Sequence, residues 1–252
     1  MKKVSVALGS GAMRGFAHIG VIEILEKEFE FEAFSGCSIG AVIGAFYCLG
    51  YDLKLIYKIA REMRNDILID FKIKKNALIS GKNIEEILKI FLRDKKFSDL
   101  KYPFYVVATD LLQGEQVVFK EGSLYDAVRA SISIPGILPP VKFNDIVLVD
   151  GAVVDKVPAK VLKENGHGFI IGVDVSGKST KKEPKNIFEM IMTTIDIMGE
   201  EIFKLKQSYI DYLIKIELDD INPYTLVDID KAYKRGKERA KEAVDHIKKL
   251  LS

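Results

Sequence analysis

The sequence predicts an α/β fold built on a parallel sheet. Short apolar runs alternate with runs of helical spacing from the first residues onward, and glycine-rich turns join the first strands to the helices after them. Further apolar strand-like runs then recur through the middle of the chain.

Taken in order, "KKVSVALG" (Lys2–Gly9) reads as a short buried strand, "SGAMRG" as a turn, and Phe16–Glu28 as a helix. Phe31–Ser35 reads as a strand leading to a turn at Ser38. "IGAVIGAFYCLG" follows as a buried helix ended by Gly50. Leu53–Leu100 is expected to be mostly helical and basic, with Asn83 and Glu86 forming a capping-box variant. "YPFYVVATDL" and "EQVVFKEG" read as strands, and "SLYDAVRASISI" as a helix stopped before Pro135. "DIVLVDG" is a strand ending at Asp150, and "GFIIGVDVS" is another. A long Met- and Ile-rich helix begins near Asn186, "YLIKIELD" is a last strand, and Asp230–Leu251 is a charged amphipathic helix. Ser176–Asn186 is the loop expected to move most.

The 252 residues suffice for one large domain. The 38 basic and 36 acidic residues leave a net charge of +2, which gives no case for a nucleic-acid binder. Cys37 and Cys48 are the only cysteines and form neither a disulfide framework nor a metal-ligand pattern, which favours a reducing, cytoplasmic compartment. The apolar run in "MKKVSVALGSG" is too short for a signal peptide. The uncharged stretch Ala33–Tyr51 approaches the length of a membrane span. Its many small and polar residues favour a turn followed by a buried helix.

Three segments carry residue types suited to chemistry. In "FSGCSIGA", Gly36 and Gly40 stand two residues either side of Ser38, so a tight strand-to-helix turn can lift its hydroxyl above the sheet edge. The competing reading is a serine that simply caps a buried helix. In "LGSGAMRG", backbone N–H groups can face an anion. Gly9 and Gly11 fit the first two positions of a dinucleotide fingerprint, but Arg14 stands at the third, and no Gly-Lys-Ser/Thr follows as a phosphate loop needs. In "LVDGAVVDKVP", Asp150 closes an apolar strand, where a carboxylate can accept a serine proton, although Asp-Gly is also an ordinary turn. The three histidines offer no clear partner for Ser38. His18 falls on the helix after the glycine turn, His167 in a turn, and His246 on a charged helix face. Cys37, beside the serine, is expected to point away into the core.

Together these segments resemble the patatin-like phospholipase family. "GSGAMRG" is similar to its oxyanion loop, "GCSIG" to its nucleophile elbow, "RASISIPGILPPV" to its central block and "LVDGAVVDKVP" to its aspartate block; "VATDLLQGEQVVF" resembles the segment before the central block. The likeness runs from about residue 3 to residue 176. It implies a single domain over residues 1–252, with helices in 187–252 completing a three-layer α/β/α sandwich around a mainly parallel sheet. It further implies a serine acyl-hydrolase of lipid esters, of phospholipase A, lysophospholipase or esterase type. Ser38 would be the nucleophile, Asp150 would take its proton directly, and Gly11 and Ala12 would donate to the oxyanion. Gly9, Arg14, Gly15, Gly36, Gly40 and Gly151 would support the motifs. Ser10 and Ala12 stand where the family often has glycine, so Ala12 would narrow the approach of substrate. No cofactor, no metal and no nucleic acid is implied; the expected partners are a lipid or acyl-ester substrate and a peripheral membrane contact. A regulatory or acyl-binding scaffold of the same fold, and a nucleotide-binding α/β protein, are the competing functions.

Overall fold

The computed structural model describes residues 1–63, 82–177, 183–184 and 187–252. The "DFKIKKNALI" run and most of the Ser176–Asn186 loop lie outside them. The chain opens with β1 (Lys3–Leu8), α1 (Phe16–Leu25), β2 (Glu30–Cys37) and α2 (Ile39–Leu49). Next come α3 (Leu53–Glu62), α4 (Lys82–Leu92), β3 (Phe104–Asp110), β4 (Glu115–Phe119) and α5 (Leu124–Ser131). The remainder is β5 (Val141–Phe143), β6 (Ile146–Asp150), α6 (Ala159–Glu164), β7 (Ile170–Asp174), α7 (Ile187–Lys206), β8 (Tyr212–Lys215) and α8 (Ile229–Leu250).

Among the described residues one sheet holds eight strands, hydrogen-bonded along the path β5-β6-β3-β2-β1-β7-β8, with β4 pairing β3 off that path. β3, β2, β1, β7 and β8 run parallel. β4, β5 and β6 add antiparallel pairings at one side. Alternation along each strand divides the core in two. Val4, Val6 and Leu8 of β1 join the larger cluster with α1, α2 and α8, while Ala7 joins Tyr105, Val107 and the residues of α6 on the opposite face. The result is a three-layer α/β/α sandwich. β3 is buried at every residue, as a strand covered on both faces must be.

Element ends differ from expectation where local chemistry intervenes. Gly50 does close α2 in a left-handed conformation, φ 83°. α5 stops at Ser131, well short of Pro135, because the chain folds back on the helix end: the Arg129 guanidinium bonds Ser133 Oγ at 2.7 Å and Pro139 O at 3.3 Å. β2 runs on to Cys37, directly against Ser38. α4 begins at Lys82, so Asn83 sits inside its first turn and not at the cap. β5, three residues at the sheet edge, has no periodicity by which to be foreseen.

Candidate active site

Ser38 joins β2 to α2 with φ 55° and ψ −124°. That conformation costs a non-glycine residue about 1–3 kcal/mol, and the surroundings hold it. A Cβ at Gly36 would lie 2.6 Å from Gly40 O, and one at Gly40 would lie 2.1 Å from Leu8 O, so only glycine lets α2 close onto the strand ends. The Ser38 N–H donates to Ser131 Oγ at 2.9 Å, and Ser131 Oγ donates to Val107 O at 2.7 Å. Ser131 was overlooked as a separate functional residue; its only signal was a serine at the foot of a helix within "RASISIPG".

Asp150 reaches Ser38 through the pairing of β3. Val106 and Val107 pair with β2 and with β4, whereas Ala108, Thr109 and Asp110 pair with β4 and with β6. β2 and β6 therefore share one edge of β3 and approach each other from opposite ends. Cys37 stands opposite Val107 and Asp150 opposite Ala108, so the two strands meet head to head at the sheet's carboxyl edge. A Cβ at Gly151 would lie 2.3 Å from Val107 O, which shows how tightly the chain turns there.

The Asp150 carboxyl is buried, 3% exposed, beside a Ser38 that is 4% exposed. Burial pushes its pKa up to about 6, against the opposing hydrogen bonds of the Ser38 side chain, the Ala152 N–H and the Cys37 thiol. Ala152 N lies 2.8 Å from Oδ1 and Cys37 Sγ lies 3.6 Å from the same atom. Cys37 is fully buried, as expected, but its side chain lies against Asp150 and does not point away from the site. Cys37 ends β2 opposite Val107, and that strand pairing sets the direction.

The glycine-rich loop after β1 lies beside this pair. Gly9 N–H donates to Val173 O, Ser10 N–H to Lys156 O, Met13 N–H to Pro223 O and Arg14 N–H to Gly11 O. Among the described residues, the N–H groups of Gly11 and Ala12 have no backbone acceptor. A Cβ at Gly15 would lie 2.3 Å from Ile39, so the loop packs against the start of α2. Arg14 is buried and braces the loop from behind, its Nε donating to Ile221 O at 3.0 Å and its Nη1 to Ser176 O.

No histidine touches Ser38 in the described contacts. His18 is wholly buried and donates from Nε2 to Gly9 O at 2.8 Å; burial drops its pKa to about 4, so the ring is neutral. His167 contacts Tyr105 Oη at 3.0 Å, and His246 contacts Glu242 O on the exposed face of α8. Among the described residues no cluster of His, Cys, Asp and Glu could hold a metal ion.

Ser38 and Ala12 help to wall a cavity of about 390 Å³. Every other wall residue is apolar, supplied chiefly by α2, α3 and α4. The outward faces of α3 and α4 carry lysines such as Lys58 and Lys89, so these two helices are solvated on one side and line the cavity on the other. Among the described residues, none of α7 lines the cavity. The helix buries Met192 and Phe203, while Met190, Ile191, Ile197 and Met198 are exposed. No helix among the described residues is long and apolar enough to cross a membrane.

The fold is thus an α/β/α sandwich with Ser38 held at positive φ between a parallel strand and its following helix, at the wall of an apolar cavity. Comparison narrows this further: the model of the patatin-like phospholipase family matches residues 6–163, and the chain belongs to that family. An uncharacterized NTE family protein of Mycobacterium tuberculosis is 34% identical over 177 residues, covering 69% of this chain and 30% of the relative. A lysophospholipase NTE1 of Kluyveromyces lactis is 28% identical over 179 residues, 68% of this chain and 12% of the relative. The chain thus spans less than half the length of these curated relatives. The crystal structure of VipD from Legionella pneumophila shares the fold, with a TM-score of 0.56 and 13% identity over 97% of this chain and 67% of that one.

Proposed function

We propose that this chain is a serine acyl-hydrolase of lipid esters that works through a Ser38–Asp150 dyad. The observation that carries the reading is the burial of Asp150 against Ser38 at the wall of an apolar cavity, with no imidazole beside the hydroxyl. A carboxyl held near pKa 6 is ionised at neutral pH and is a stronger base than an ordinary aspartate. Ser38 Oγ attacks the ester carbonyl as Asp150 accepts its proton. The oxyanion is met by the Gly11 and Ala12 N–H groups, and each such donor is worth about 2.7–4 kcal/mol. Asp150 then returns the proton to the leaving alcohol, and water, deprotonated by Asp150, releases the acyl group.

The cavity supports a fatty-acyl chain as the group bound, since among the described residues its walls are apolar apart from Ser38. Ile59 and Ile90 line it while remaining 44% and 77% exposed, which supports contact of its rim with a lipid surface. The free, buried thiols Cys37 and Cys48 support action in the cytoplasm. The chain acts as one domain in this reading.

A fluorophosphonate probe tests the nucleophile, and a screen of short- and long-chain p-nitrophenyl esters, lysophospholipids and phospholipids tests the substrate. Labelling at Ser38 is expected, and it is expected to vanish in Ser38→Ala and to fall steeply in Asp150→Asn. A folded protein that never labels would instead favour an acyl-binding scaffold.

A further inference from the structure

The Asp150 carboxylate is buried, and among the described residues no cation is bonded to it, so its orientation depends on neutral donors. Oδ1 takes two: the Ala152 N–H at 2.8 Å and the Cys37 Sγ at 3.6 Å, a distance within reach of a thiol hydrogen bond. Both cysteine and aspartate are fixed by backbone. Cys37 is the last residue of β2, and Asp150 donates its N–H to Ser133 O while its carbonyl accepts from Thr109 Oγ1 at 2.9 Å. The thiol therefore points at the carboxylate for reasons of strand pairing, whatever else the site does. Around the pair, the charged groups that act on Cys37 besides Asp150 are Asp155, in the turn after β6, and Lys206, at the end of α7; these two are bonded to each other at 3.1 Å.

We propose that Cys37 is a positioning residue for Asp150: its thiol donates a hydrogen bond to Oδ1 and orients the carboxylate to accept the Ser38 proton. Burial and the neighbouring carboxylate both push the thiol pKa well up, so it stays protonated and remains a donor throughout the working pH range. Cys37 does not react with substrate. Its catalytic consequence rests on the proposed role of Asp150, whereas the hydrogen bond itself does not.

Infrared spectroscopy of the wild-type protein tests the bond directly, because the S–H stretch falls where no other protein group absorbs. Cys48 is also fully buried, and burial alone is the cause of its raised pKa, so it serves as an internal reference. The Cys37 band, assigned by its survival in Cys48→Ala, is expected at lower frequency than the Cys48 band. It is expected to move as Asp150 titrates near pH 6 and to stay still in Asp150→Asn. In Cys37→Ala, the acid limb of Ser38 phosphonylation is expected to move up by ~0.5 pH unit, the scale of one weak S–H···O bond. A Cys37 band that matches Cys48 and ignores pH overturns the proposal, as does an unmoved acid limb in a variant that still labels. If Ser38 labels at no pH, the functional reading falls and the infrared band alone decides this one.

Discussion

Replacing Ser131 by alanine isolates what holds Ser38 in place. Its hydroxyl accepts the Ser38 N–H at 2.9 Å and donates to Val107 O at 2.7 Å, and the residue has no exposed surface. Removing it strands one buried N–H and deprives a buried carbonyl of one donor. A stranded group of this kind costs about 1–3 kcal/mol, and the close packing of Gly151 against Val107 O leaves little room for a replacing water. We expect a loss of about 2–3 kcal/mol, which for a domain of this size lowers Tm by roughly 4–12 °C. The effect should reach the chemistry as well. The φ of 55° at Ser38 is maintained by its surroundings, so losing an anchor worth about 1.4 kcal/mol or more should slow Ser38 labelling at least ~10-fold. Differential scanning calorimetry and timed fluorophosphonate labelling measure the two effects. Ser133→Ala is the comparator: that hydroxyl is equally buried, but it bonds Arg129 and not the elbow. It should lower Tm while leaving the labelling rate close to wild type. A Ser131→Ala protein that unfolds and labels like wild type would refute the reasoning.

Further outcomes are expected from the same geometry. Because burial raises the folded-state pKa of Asp150 to about 6 from 3.8, the folded protein holds a proton between those values that the unfolded chain has released. Stability contributed by this group therefore falls as pH rises through that window. Asp150→Asn should consequently unfold at higher temperature than wild type at pH 7.5, by an effect on the order of 2–3 kcal/mol, and the gap should close by pH 4; equal stability at both pH values would contradict the buried charge. Val42, one helical turn beyond Ser38 on the cavity wall, is the place to block the cavity. Val42→Phe should reduce hydrolysis of long-chain p-nitrophenyl esters far more than that of the acetate, and a uniform loss would argue that acyl chains bind elsewhere. His246→Ala should leave labelling and hydrolysis unchanged, since the ring bonds Glu242 O on an exposed helix face; a loss comparable to that of Asp150→Asn would point to a histidine base.

Much of the site could be read from residues alone because its demands are local. Gly36 and Gly40 are required by contacts within a few residues of Ser38 and with the neighbouring strand end, and a glycine two residues either side of a serine announces such a turn. Asp150 was harder. As a residue pattern, Asp-Gly reads equally well as a plain turn, and its assignment opposite Ser38 depended on the family resemblance. The direction of the Cys37 side chain differs from expectation because the meeting of β2 with β6 places Asp150 beside it, and no periodicity encodes that meeting. The Met- and Ile-rich helix α7 exposes Met190, Ile191 and Met198, while α3 and α4 supply cavity walls. Apolar spacing marks a stripe on a helix but does not say what that stripe faces.

Composition and short-range pattern were thus enough for the α/β class, the strand-to-helix turn at Ser38 and the glycine-rich turn at Gly9–Gly15, since each is dictated by the sterics of neighbouring residues. The meeting of Asp150 with Ser38, the thiol against its carboxylate and the gathering of the cavity walls came from packing. β3 pairs with β2 over its first half and with β6 over its second, and that register between distant segments brings two strand ends together. Such pairing is settled by the energy of the whole sheet, and no local stretch of the chain contains it.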